Sequence, residues 1–184
     1  YIKLLEQYIK EGKQVLFLLP EIALTTQLVQ RLTAYFGNEV AVFHSKYTNN
    51  ERIEVWNQVL ENSPKAKVVI GVRSALFLPF SNLGCIIVDE EHEQTFKQHD
   101  PAPRYHARDA AIVLAKQHGA KVVLGSATPS LETYYNVQSN KYGLTELKVR
   151  YGNVVLPEIQ LVDLKDKYFR KKMSGHFSDE LLEE

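Results

Sequence analysis

With 184 residues, 45% of them hydrophobic and 24% charged, the chain has the composition of an ordinary globular protein and enough length to bury a sizeable core. Its 22 basic and 22 acidic residues cancel, so any polyanion would have to be recognised by a local patch rather than by the whole chain. One cysteine, Cys85, excludes a disulfide framework and a cysteine-rich zinc site, and there is neither a membrane-length apolar run nor a visible signal peptide.

Ile2, Leu5 and Ile9 fall at helical spacing, with Gly12 placed to end that helix. Val15 to Leu19 reads as a strand buried on both faces, running into Pro20-Glu21. Leu28, Val29, Leu32 and Phe36 mark the inner face of a helix that Gly37 closes, and Val40-Ala41-Val42-Phe43 is the next strand. Thr48-Asn49-Asn50-Glu51 has the form of a capping box, and the spacing predicts Ile53, Trp56 and Leu60 on one face of the helix that follows. Val68-Val69-Ile70 ends at Gly71-Val72-Arg73-Ser74, and Cys85-Ile86-Ile87-Val88 passes directly into Asp89-Glu90-Glu91-His92.

A loop from Thr95 to Tyr105 contains Pro101 and Pro103, and a helix from about Ala107 to His118 closes at Gly119. Val122-Val123-Leu124 then leads to Gly125-Ser126-Ala127-Thr128, with Thr128 expected as cap and Pro129 as first residue of another helix. Strands alternating with helices predict an α/β fold with a parallel, doubly wound sheet. Residues 1–147 are expected to form that domain and 148–184 a connector. The connector holds the extended stretches Val154-Val155-Leu156-Pro157 and Ile159-Gln160-Leu161-Val162, the basic run Lys165, Lys167, Arg170, Lys171 and Lys172, and a final helix from Ser178.

In such a sheet the polar clusters after four strands lie along one edge, where ligands bind. Two carboxylates at the tip of a rigid strand repel each other unless a cation neutralises them. Asp89 and Glu90 therefore suit Mg²⁺ held by one acid beside a second that takes a proton from water; the alternative is a solvated acidic turn. The segment Phe96 to His106 mixes aromatics, histidines and cations, including His99, Arg104 and Tyr105, a composition on which bases stack and phosphates bind. Equally, Phe96 and Tyr105 could anchor the loop on the core. Arg73 and Ser74 are candidate nucleic-acid backbone contacts, unless Arg73 pairs with a nearby acid.

Asp89-Glu90-Glu91-His92 resembles the Walker B motif of the DExH helicases, Gly125-Ser126-Ala127-Thr128-Pro129-Ser130 their motif III, and Pro20 to Gln27 their motif Ia. Together with Arg73-Ser74-Ala75-Leu76-Phe77 and Arg104-Tyr105-His106-Ala107-Arg108-Asp109, the pattern resembles the bacterial replication-restart helicases of superfamily 2. Val72 departs from it, since that family more usually has threonine there. The resemblance implies a three-layer RecA-like fold, a P-loop NTPase lobe without its P-loop segment. It implies ATP and Mg²⁺ as cofactors, with zinc bound elsewhere in the whole protein. Its partners would be forked and single-stranded DNA, single-strand-binding protein and other primosome proteins in the bacterial cytoplasm, with no membrane contact. Asp89 would hold Mg²⁺ through water, Glu90 would act on the attacking water, His92 would link to motif III, and Ser126 and Thr128 would pass the nucleotide state on.

A phosphate cradle needs G-x-x-x-x-G-K-[ST], and Gly12-Lys13 lacks the earlier glycine, position 7 being Gln. The loop is expected just ahead of Tyr1, so this chain alone should neither hydrolyse ATP nor unwind DNA. Two other readings compete. One is a metal-dependent hydrolase using Asp89, Glu90 and a histidine such as His44, His92 or His99; the other is a non-catalytic module that docks DNA or proteins.

Overall fold

The apolar runs pair side by side. In this computed structural model, which describes residues 1–21, 23, 26–44, 47–149 and 158–183, five of them form one parallel sheet. The strands are β1 (Gln14–Leu18), β2 (Val40–Phe43), β3 (Val68–Gly71), β4 (Leu83–Val88) and β5 (Lys121–Leu124), in the spatial order β2-β3-β1-β4-β5. β1, β3 and β4 are buried at every position, which is why they read as unbroken apolar runs rather than as alternation. β5, at one edge, is only half-buried.

Successive side chains of a strand point to opposite faces, so each strand feeds two cores. On one face α1 (Ile2–Lys10) and α2 (Thr26–Phe36) bring Leu5, Leu32 and Phe36 against Val15, Phe17, Ile70, Cys85 and Ile87. On the other, α3 (Asn49–Leu60) and α4 (Ala107–His118) bring Val55, Val59, Ala107, Ala111 and Ala115 into a cluster with Leu16, Leu18, Val69, Ile86 and Val88. The alanines recur every four residues and present a smooth face, so α4 can lie close to the sheet. Each fully buried Leu, Ile or Val stabilises the fold by about 1.5–3 kcal/mol. One polar side chain is enclosed with them: Gln14 donates to the Val59 carbonyl at 2.7 Å and accepts from the amides of Ser81 and Asn82 at 3.1 and 2.9 Å. Its hydrogen bonds remove the penalty of burying an amide and tie α3 to the turn before β4.

Two helices differ from expectation. In α3, Val55 and Val59 face the sheet, whereas Ile53, Trp56 and Leu60 are exposed. The Thr48–Glu51 capping box is present, but α3 carries two apolar stripes and the sheet takes the slimmer, β-branched one. The helix after β5, α5 (Leu131–Gln138), starts beyond Pro129 and is capped by Ser130, whose hydroxyl accepts from the Thr133 amide at 3.3 Å. Thr128 instead belongs to a tight turn, its amide donating to Ser126 Oγ at 3.0 Å.

The chain divides into two units, Tyr1–Gly143 and Leu144–Glu184. In the second, the basic run starts on α6 (Leu164–Phe169), which Asp163 caps, with Lys165 and Lys167 in the helix and Arg170, Lys171 and Lys172 following it. A two-residue hairpin, β6 (Met173–Ser174) with β7 (Phe177–Ser178), leads into α7 (Asp179–Glu183), and Lys167 pairs with Asp179 and Glu180. Ile159 to Val162 forms no strand, and Val154 to Pro157 lies outside the described residues.

Candidate functional site

The tip of β4 is clamped from both sides. The Asp89 amide donates to the Leu18 carbonyl of β1 at 3.0 Å, and beyond it the Glu91 amide donates to the Gly125 carbonyl at 3.0 Å. Glu90 between them has φ +50, a left-handed conformation that turns the chain sharply, and the Glu93 amide closes the turn on the Glu90 carbonyl at 2.9 Å. Asp89 and Glu90 are therefore half-exposed on a rigid turn while Glu91 is swung inward.

Asp89 Oδ1 accepts a hydrogen bond from the Tyr1 hydroxyl at 2.7 Å, and the Tyr1 ring lies edge-on to Phe17 at 5.5 Å. Burial, and then the Asp89 carboxylate, push the Tyr1 phenol well above its ordinary value, so it remains a donor. Gly125 makes this approach possible: a Cβ there would run into the Tyr1 hydroxyl and stand 3.0 Å from Asp89 Oδ1. A carboxylate with one oxygen hydrogen-bonded and a half-exposed carboxylate beside it fit an ion bound through water.

His92 joins the ends of β4 and β5. Its Nδ1 lies 2.7 Å from Ser126 Oγ and 3.6 Å from Glu90 Oε2, and its Nε2 lies 3.5 Å from Thr128 Oγ1. Glu90, His92, Ser126 and Thr128 thus form one connected group.

Glu91, which sequence reasoning passed over, is the enclosed acid of the three, 1% exposed. Its carboxylate accepts from the Ser130 amide at 2.7 Å, Ser130 Oγ at 3.0 Å, Thr133 Oγ1 at 2.9 Å and Arg108 Nη1 at 3.1 Å. Burial disfavours its charge, but these four donors outweigh burial and hold its pKa below the ordinary carboxylate range. Arg108, also enclosed, donates from Nε to Asp109 at 2.8 Å and from Nη1 to Ser130 Oγ at 2.6 Å. The only signal in the sequence was an arginine placed at the start of a helix, too weak to name its partner.

The loop segment is more ordered than its prolines suggest. Lys97 bridges to His106, the Gln98 amide donates to the Tyr105 carbonyl at 2.8 Å, and the Gln98 side chain donates to the carbonyls of Pro101 and Pro103 at 2.9 and 3.0 Å. Arg73 Nη1 donates to the carbonyls of Thr95 and Lys97 at 3.3 and 3.0 Å, so these hydrogen bonds go to backbone oxygens rather than to an acid. Phe96 corrects the expectation of an open stacking ring: a short 3-10 turn, Gln94–Phe96, carries it into the core, 1% exposed. It anchors the loop. Tyr105 is half-buried with its ring edge-on to Phe77 at 5.2 Å, while His99 and Arg104 are exposed. Of the stretch from Pro20 to Gln27, Ile22, Leu24 and Thr25 lie outside the described residues, and Glu21 is exposed.

Among the described residues no group of three His, Cys, Asp or Glu side chains converges on one point. A transition-metal site of Asp89, Glu90 and a histidine therefore has no donor set there. No described helix is long and apolar enough to cross a membrane.

The chain belongs to the DEAD/DEAH box helicase family, whose model matches residues 1–137. Its α/β architecture is RecA-like and matches the C-terminal domain of the DEAD-box protein Dbp5 with a TM-score of 0.50, at 16% identity over 78% of each chain. Among individual proteins, it is similar to the replication restart protein PriA of Bacillus subtilis, 44% identical over 183 residues, which is 100% of this chain and 22% of that protein. It is also 48% identical to PriA of Haemophilus influenzae over 174 residues, covering 95% of this chain and 23% of that protein. The chain thus spans less than a quarter of the length of these relatives.

Proposed function

We propose that residues 1–147 act as the first, ATP-binding lobe of a 3′-to-5′ DNA helicase that recognises stalled forks and restarts bacterial replication, with 148–184 as a connector to a second lobe. The observation that carries this is the connected group at the tips of β4 and β5, in which His92 reaches Glu90 on one side and Ser126 and Thr128 on the other. Asp89 holds Mg²⁺ through water, and Glu90 orients the attacking water and takes its proton. Mg-ATP, when bound, would supply the phosphoryl group and the cation, with Asp89 and Glu90 as the residues to hold the ion and act on the water. His92 senses the Glu90 carboxylate and transmits its state to Ser126 and Thr128. Arg73, Ser74, His99, Arg104 and Tyr105 meet single-stranded DNA, and Phe96 holds that surface in place from beneath. Single-strand-binding protein and other primosome proteins are the partners, the bacterial cytoplasm is the setting, and zinc belongs to other parts of the whole protein.

With no G-x-x-x-x-G-K-[ST] in its sequence, this chain alone lacks the phosphate cradle and releases no phosphate from ATP. The test is to exchange this chain for the matching segment of the B. subtilis relative. The chimera should hydrolyse ATP faster when single-stranded DNA is added, Glu90→Gln should abolish hydrolysis, and His92→Ala should leave hydrolysis without DNA stimulation. A folded chimera that binds ATP and hydrolyses none of it would end the proposal.

A further inference from the structure

The groove between α3 and the 3-10 turn Arg73–Phe77 is not used by the site at the β4 tip. Its volume is about 520 Å³, within the range of small-molecule pockets, and it is lined by Phe43, Ile53, Trp56, Phe77, Ser74 and Arg52 among others. Trp56 of α3 and Phe77 of the 3-10 turn are 44% and 58% exposed, a large amount of aromatic surface left in water, although α3 already has a buried stripe facing the sheet.

The charges around the groove indicate what covers it. Arg52 lies over the Phe43 ring at 5.5 Å, and no ion pair to it is present among the described residues. The acids on the same helix are engaged: Glu51 accepts from the Thr48 amide and hydroxyl at 2.8 and 2.7 Å, and Glu54 accepts from Gln58 at 3.0 Å. Arg73 begins the 3-10 turn that ends at Phe77, and Phe77 meets Tyr105 edge-on, which joins the groove to the loop bearing His99 and Arg104. Phe43 ends β2 and Gly71 ends β3, so the groove opens on the same sheet edge as Asp89. An apolar aromatic slot beside Arg52, which meets no carboxylate among the described residues, complements a flat ring attached to a phosphate chain better than it complements an apolar helix. Bases stack on aromatics without regard to sequence, and Arg contributes both charge and a stacking plane.

We infer that this groove receives an unstacked base of single-stranded DNA, with Trp56 and Phe77 as its walls and Arg52 near the phosphate. The inference rests on the single-strand reading above and adds a base site to it.

Trp56 is the one tryptophan of the chain, so its emission reports on the groove alone. The experiment titrates this chain at low salt with an end-labelled oligothymidylate of about twelve nucleotides, a length within single-strand site sizes, reading Trp56 emission and label anisotropy together. Both signals should saturate together, and an abasic strand of equal length should raise anisotropy without quenching Trp56. Phe77→Ala should weaken binding roughly fivefold to a hundredfold, the range for loss of one stacked base, and Ile53→Glu should also weaken it by adding a like charge at an exposed helix position. Anisotropy that rises while Trp56 emission stays constant overturns the base site and leaves the single-strand reading standing. Equal quenching by the abasic strand reduces the contact to phosphate and also overturns it. Absence of both signals overturns the base site together with the reading beneath it and leaves the groove to an apolar peptide.

Discussion

Three acids follow β4, and their neighbours in the sequence do not distinguish them. The left-handed backbone at Glu90 is what separates two half-exposed carboxylates from an enclosed one, and no periodicity announces a single such residue. The acidic run was legible as a polar cluster at a strand end, and the division within it between exposed and enclosed acids was not. Removing the Glu91 side chain would leave the enclosed Arg108 guanidinium without its main partner, so Glu91→Ala should destabilise the fold by about 3–5 kcal/mol. The pH dependence has a definite sign. Because the folded pKa of Glu91 lies below its unfolded value of about 4.3, its contribution is complete above that value and is lost as pH falls through the folded one. Urea midpoints measured from about pH 3 to 7 should therefore drop on the acid side, and Glu91→Gln should be weaker at neutral pH with a flatter acid limb. A Glu91→Gln acid limb as steep as that of the unsubstituted chain would show that other carboxylates carry it.

At the scale of elements, the capping box fixed where α3 begins but not which side faces the sheet. Its apolar residues at 53, 55, 56, 59 and 60 offer two stripes, and only the shape of the sheet selects Val55 and Val59. The same limit applied to Phe96, whose placement depends on a three-residue turn, and to the α5 cap, where Thr128 and Ser130 were both acceptable by residue type. The loop from 94 to 106 holds its shape through backbone hydrogen bonds, the Gln98 side chain and one cation. Arg73→Ala removes the donor shared by the Thr95 and Lys97 carbonyls, so the loop should open locally while the sheet stays folded. Trypsin should then cut after Lys97 and Arg104 several-fold faster, with the urea midpoint changed by far less than in Glu91→Ala. Equal losses in both assays would mean that the loop and the sheet unfold as one unit.

Across the whole molecule, alternation of apolar runs with amphipathic ones was enough to predict a parallel sheet, because parallel strands need helical crossovers and burial on both faces. It could not give the lateral order, since β1 pairs with β3 and β4 rather than with β2, and each such step is a choice among crossovers of similar length. That order sets the depth of Cys85, which lies in β4 opposite Val15 of β1 and Lys121 of β5, with burial pushing its thiol up to about 11. A thiol with neither access nor ionisation is chemically silent until the strands around it part. The chain therefore carries a stopwatch for its own opening. An aromatic disulfide reagent in excess should label it at a rate that stops depending on reagent concentration, and that plateau is the frequency with which the centre of the sheet comes apart.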